Sequence, residues 1–155
     1  MSDFSVDLRG ASTAIITPFS DGAVDLEALG RTVERQIEGG IDGLVPCGTT
    51  GESATMDDEE CLSVIRTTAR VSDGRVPVVA GTGSNDTRKS VEFTKKAADI
   101  PGVDAALVVV PYYNKPDQEG LYRHFVAVAD EGGLPVVLYN VPGRTITSLE
   151  PDTIH

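Results

Sequence analysis

Hydroxyls, phenols and one guanidinium gather in three short stretches of the chain. Thr49 and Thr50 stand between Gly48 and Gly51 in the run Pro46-Cys47-Gly48-Thr49-Thr50-Gly51-Glu52-Ser53. Flanking glycines let backbone amides and both hydroxyls approach a small anion. The second stretch is Pro111-Tyr112-Tyr113-Asn114-Lys115-Pro116, and the third is Tyr139-Asn140-Val141-Pro142-Gly143-Arg144-Thr145. Tyr112, Tyr113 and Tyr139 fall in these stretches although aromatics make up only 5% of the chain, a bias that favours a site; Tyr122 lies apart. A phenol with a pKa of about 10 is neutral at physiological pH and both gives and accepts a proton, so a Tyr–Thr–Tyr chain relays protons without histidine. Arg144 offers a planar fork that suits a carboxylate.

The elements that must hold these stretches follow a repeat. Apolar runs occur at Ala14 to Ile16, Ile41 to Cys47, Val76 to Ala80, Ala105 to Val110 and Val136 to Tyr139. Their Val/Ile-rich character predicts strands of a parallel sheet buried on both faces. They recur at about 30 residues, the size of a βα unit. Between them, Leu26, Leu29, Val33 and Ile37 form one helical stripe, with Asp25 as its cap. Asp57 and Glu60 predict a capping box ahead of Leu62, Ile65 and Ala69. Val91, Lys95 and Ala98 mark a third helix, and Leu121, Phe125 and Val128 a fourth. Glycines at 39–40, 74, 102 and 132–133 precede the next strand in each case, where a left-handed residue turns the chain back. Such alternation builds a doubly wound sheet or a (β/α)8 barrel. In both, the loops at the carboxyl ends of the strands carry function, and the three stretches lie there.

Composition narrows the partners. The 155 residues carry 13 Lys+Arg against 24 Asp+Glu, a net charge of −11, which repels a phosphate backbone and argues against nucleic acid. No apolar run approaches the roughly 18 residues of a membrane span, and Met1 to Gly10 lacks the features of an export signal, so a cytoplasmic, membrane-free protein is expected. Gly81-Thr82-Gly83 lacks the third glycine of a dinucleotide loop, with Asp86 in its place. Cys47 and Cys61 form no metal-ligand spacing and are expected as reduced, buried thiols. His124 is expected to be satisfied or half-exposed rather than catalytic, and the run Asp57 to Glu60 to be an acidic first helical turn rather than a metal site.

The segments GTTGESAT (Gly48 to Thr55), AGTGSN (Ala80 to Asn85), PYYNKPDQEGLYRHF (Pro111 to Phe125) and LYNVPGRT (Leu138 to Thr145), with TAIITPF (Thr13 to Phe19), resemble the dihydrodipicolinate synthase family. The resemblance runs from about Ser12 to the end of the sequence. It implies an α/β fold, an incomplete (β/α)8 barrel of roughly the first five βα units, forming one partial domain over residues 1–155. It implies a Schiff-base lyase that joins pyruvate to aspartate β-semialdehyde in lysine and diaminopimelate synthesis, as a homo-oligomer (a tetramer in the family) without metal or organic cofactor. By position, Thr49 and Tyr139 would be relay members, and Tyr113 the third, reaching into a neighbouring subunit. Thr50 would hold the pyruvate carboxylate, and Arg144 the carboxylate of the semialdehyde. Sister pyruvate lyases acting on sialic acid or 2-keto-3-deoxy sugar acids share the strand-two glycine loop, whereas Arg144 within YNVPGRT favours the synthase branch.

Two departures set further expectations. The family's Schiff-base lysine ends the sixth strand; Lys89, Lys95 and Lys96 fall in the third helix pattern and Lys115 in a loop. This chain alone is therefore expected to have little or no synthase activity, and a silent half-barrel that pairs with itself or a second chain is the alternative outside catalysis. Its edge strands would be unpaired and apolar. Lys89 also stands where feedback-inhibited relatives place a glutamate that receives lysine's amine, so lysine is not expected to inhibit.

Overall fold

A computed structural model describes residues 6–154. The chain forms β1 (Ser12–Ala14), β2 (Phe19–Ser20), β3 (Ala23–Val24), α1 (Leu26–Glu38), β4 (Gly43–Val45), a 3-10 turn (Ser53–Thr55) and α2 (Asp58–Ser72). It continues with β5 (Val79–Gly81), α3 (Thr87–Ala98), β6 (Ala105–Val109), α4 (Gln118–Glu131), β7 (Val136–Tyr139), α5 (Pro142–Thr145) and α6 (Pro151–Ile154). β1 pairs with β4, β5 with β6 and β6 with β7, all parallel. A parallel bridge between Leu44 and Val78 joins the two groups. The result is an arc in the order β1-β4-β5-β6-β7, five βα units of a barrel that does not close on itself.

The predicted helices form for the reasons their sequences give. The Asp25 carboxylate accepts from the Ala28 amide at 2.8 Å and starts α1, whose Leu29 and Val33 are fully buried. Asp57 and Glu60 make the reciprocal capping box at 2.9 Å in each direction, so the acidic run is the first turn of α2. Leu121, Phe125 and Val128 of α4 all face the core. Gly40, Gly74, Gly102 and Gly133 follow α1 to α4 with φ between +71° and +85°, the left-handed turn expected between helix and strand.

Two expectations need correction, and one element was missed. The apolar run Val76 to Ala80 predicts the third strand, but β5 begins at Val79. Pro77 has no amide to donate, and the Val78 amide bonds the Asp104 carboxylate at 2.8 Å. A hairpin, β2–β3, stands before α1 with Asp21 and Gly22 both at positive φ (52° and 82°), the Asp-Gly turn geometry that was present in the sequence and not read. Finally, burial on both faces holds for Gly43 and Leu44 of β4 and for Val79 and Ala80 of β5, but not along β6 and β7. On β6, Ala106 and Val108 are inaccessible beneath the helices, whereas Leu107 and Val109 on the opposite face are only half-buried. On β7, Leu138 is 37% exposed. The core lies between sheet and helices, and the concave face of the arc is open.

Candidate active site

The loops after β4, β5, β6 and β7 border one cavity of about 630 Å³ at the carboxyl ends of the strands. Each is held in place by the chain around it. After β4, Cys47 and Glu52 adopt left-handed backbone (φ 57° for both), and Gly51 and Glu52 donate back to the Gly48 and Thr49 carbonyls. The buried Thr17 hydroxyl, from the segment after β1, donates to the Gly51 carbonyl at 2.7 Å and clamps this loop from outside. Thr49 is presented to the cavity.

The glycines of the β5 loop have a packing role. A methyl group at Gly81 would lie 2.1 Å from the Cys47 carbonyl oxygen, and one at Gly83 would lie 2.4 Å from the Val109 amide. Only glycine lets β5 pass this close to the β4 loop and to β6. Between them, the buried Thr82 hydroxyl sits 2.8 Å from that of Thr94 on α3.

Tyr139 ends β7, with its carbonyl receiving the Val110 amide at 2.9 Å and its half-buried side chain on the cavity wall. Arg144 follows on the single-turn helix α5, which Pro142 opens, and also borders the cavity. Asn140 fixes this turn by accepting from the Leu149 amide and donating to the Ser148 hydroxyl, both at 3.2 Å. Among the described residues, the Arg144 guanidinium forms no ion pair. It is therefore available to an incoming carboxylate.

The structure thus brings Thr49, Tyr139 and Arg144 to one cavity and leaves Thr50 and Tyr113 off its wall. Thr50 is an exposed residue of the same loop. Tyr113 is 87% exposed, at φ 73°, and stands clear of this chain's cavity, while its neighbour Tyr112 borders it. Asn114 pins the segment through a 2.9 Å bond from its amide to the Asn85 carbonyl.

Cationic and acidic groups share the far wall. Lys89, Glu92 and Lys96 of α3 and Asp58 of α2 border the cavity, with Lys96 paired to Asp58 at 3.1 Å. Two features were missed in the sequence. Cys47 and Cys61, both free and buried as expected, touch each other across the cavity wall, and the Cys47 thiol lies 3.5 Å from the Cys61 carbonyl. His124 is 3% exposed; its Nδ1 lies 2.9 Å from the Thr87 hydroxyl, but its Nε2 has no partner, so it is only half satisfied. Burial pushes its pKa down, against a smaller upward pull from Asp86. It lies away from the cavity.

The chain is similar to curated and structurally solved synthases. The 4-hydroxy-tetrahydrodipicolinate synthases of Pelobacter propionicus and Magnetococcus marinus are 55% and 57% identical to the chain over 146 residues. Each match covers 94% of this chain and 50% of the relative. A dihydrodipicolinate synthase from Acinetobacter baumannii, solved in complex with pyruvate, superposes with a TM-score of 0.91 at 51% identity. That match covers 95% of this chain and 50% of the other. The chain spans about half the length of the relatives it matches. The model of the dihydrodipicolinate synthetase family matches residues 7–155, and the chain belongs to that family.

Proposed function

We propose that this chain supplies the substrate-gripping half of a Schiff-base lyase that condenses pyruvate with aspartate β-semialdehyde. The observation that carries the reading is the convergence of Thr49, Tyr139 and Arg144 on one cavity at the carboxyl ends of the strands. In this reading the pyruvate carboxylate sits at the Thr49–Thr50 loop. The Thr49 hydroxyl and the Tyr139 phenol pass the protons that leave and return as imine becomes enamine and the enamine adds to the aldehyde. Arg144 holds the carboxylate of the semialdehyde through its fork. Tyr113 completes the relay of a neighbouring copy, which makes the working form a homo-oligomer. The setting is lysine and diaminopimelate synthesis in the cytoplasm. Among the described residues no helix is long and apolar enough to cross a membrane.

The lysines do not meet the requirement for the nucleophile. Lys89, Lys95 and Lys96 lie on α3 and Lys115 in the loop after β6, and none ends a strand of the arc. Lys96 is moreover tied to Asp58. In this reading the chain alone is inactive, because none of its lysines stands where the imine-forming nucleophile is needed.

Borohydride trapping with pyruvate tests this directly. The chain by itself gains no mass, whereas a chimera extended with the C-terminal half of the Pelobacter propionicus relative is trapped and condenses the two substrates. In the chimera, Arg144→Ala raises KM for the semialdehyde on the order of tenfold to a hundredfold with KM for pyruvate little changed, as loss of a charge-assisted pair requires. A trapped adduct on any of the four lysines of the chain alone, or an Arg144→Ala chimera with an unaltered semialdehyde KM, overturns the reading.

A further inference from the structure

The Cys47–Cys61 pair is used by no step of the proposed reaction. It nevertheless places two thiols side by side on the cavity wall. Cys47 and Cys61 are the two cysteines of these 155 residues. Cys47 precedes Gly48 in left-handed backbone (φ 57°), and Cys61 lies in the first turns of α2. Both are buried, both border the cavity, and the Cys47 sulfur sits 3.5 Å from the carbonyl oxygen of Cys61. The residues between them, 48–60, include the whole loop that presents Thr49.

We propose that Cys47 and Cys61 are a redox modification site, oxidised to an intramolecular disulfide by small dialkyl disulfides that enter through the cavity. The bond latches the Thr49 loop onto α2. The chemistry balances as ordinary thiol–disulfide exchange. The Cys61 thiolate attacks one sulfur of the oxidant RSSR and displaces one RS⁻, leaving a mixed disulfide on Cys61. Cys47 then gives up its proton and attacks the Cys61 sulfur, displacing the second RS⁻. The sum is two protein thiols plus RSSR giving one protein disulfide plus two RSH.

The order of attack follows from the environments. Donation from the Cys47 thiol holds Cys61 below the usual thiol range, against the upward push of its burial and of Asp58, Glu60 and Asp57. The same hydrogen bond, then burial, pushes Cys47 up. With the Cys47 proton directed at the Cys61 carbonyl oxygen 3.5 Å away and Cys61 the less buried of the two, Cys61 is the attacking thiol and Cys47 the resolving one. In a reducing compartment such a bond is transient and responds to redox state.

The experiment uses the full chain and oxidised glutathione. The expected product has lost two hydrogens, carries no glutathione, and yields one peptide pair joining Cys47 to Cys61 on proteolytic mapping. Its thermal midpoint rises and returns to the starting value with dithiothreitol. In Cys47→Ser the mixed disulfide on Cys61 accumulates because nothing resolves it, whereas in Cys61→Ser the thiol of Cys47 stays unmodified. Persistent glutathione on wild-type Cys61, a disulfide between two chains, or two thiols that remain free through the titration overturns the proposal. Each readout is independent of synthase activity, so its failure is distinct from failure of the proposed reaction.

Discussion

Single side chains set both the chemistry and one stability dependence. Arg144 was legible because its planar fork suits a carboxylate and it stands in the segment that closes and leaves the fifth apolar run. Tyr139 was legible because it ends an apolar run. Which of Tyr112 and Tyr113 faces the cavity was not legible: the answer depends on the positive φ of Tyr113, and nothing in two adjacent tyrosines announces it. The sequence leads one to expect His124 satisfied or half-exposed, but the packing of α4 buries it with its Nε2 unpartnered. That has a pH consequence. Its folded-state pKa lies below the unfolded value of about 6.5, so below that pH the unfolded chain takes up a proton that the fold refuses. Stability contributed by neutral His124 is thus present above about pH 6.5 and is lost as pH falls toward the lowered folded value. The urea midpoint should drop between about pH 7.5 and about pH 5.5, and His124→Gln should flatten the slope; an equal slope in both proteins would contradict this account.

At the scale of elements, the strand–helix period exposed the five units because glycine punctuation and helical stripes agree with one another. Strand ends were less legible, since they depend on partners far away in sequence, as when Asp104 takes the Val78 amide. The same holds for Thr17, whose hydroxyl clamps the Gly51 carbonyl from 34 residues away. The element account gives a graded set of costs. Asp25→Ala removes the α1 cap and should cost about 1 kcal/mol. Leu121→Ala empties a fully buried position on α4 and should cost about 2–5 kcal/mol. Gly81→Ala must push Cys47 and the β4 loop away from β5, so it should disturb the Thr49 loop as well as stability. Denaturant midpoints read the first two. For Gly81→Ala, a chimera with unchanged melting and unchanged KM for pyruvate would show that the close approach is unimportant.

The molecule as a whole is an open arc. β1 and β7 each pair on one side only among the described strands, and Leu138 is exposed on the last of them. In the sequence the strands read as doubly buried because their Val/Ile content was written for a closed barrel, whereas this chain spans about half the length of its relatives. Unpaired apolar edges seek another strand. The isolated chain should therefore self-associate through its edges, and light scattering should report oligomers whose size depends on concentration. A monodisperse monomer with a sharp, native-like melt would contradict that.

The hydroxyl relay itself is read most directly from hydrogen exchange at the pyruvate methyl group. In heavy water, an active chimera should exchange those hydrogens through the enamine without any aldehyde present. Thr49→Val and Tyr139→Phe should each slow the exchange on the order of 100-fold while imine trapping by borohydride persists. Exchange at the parent rate in both variants would contradict the account.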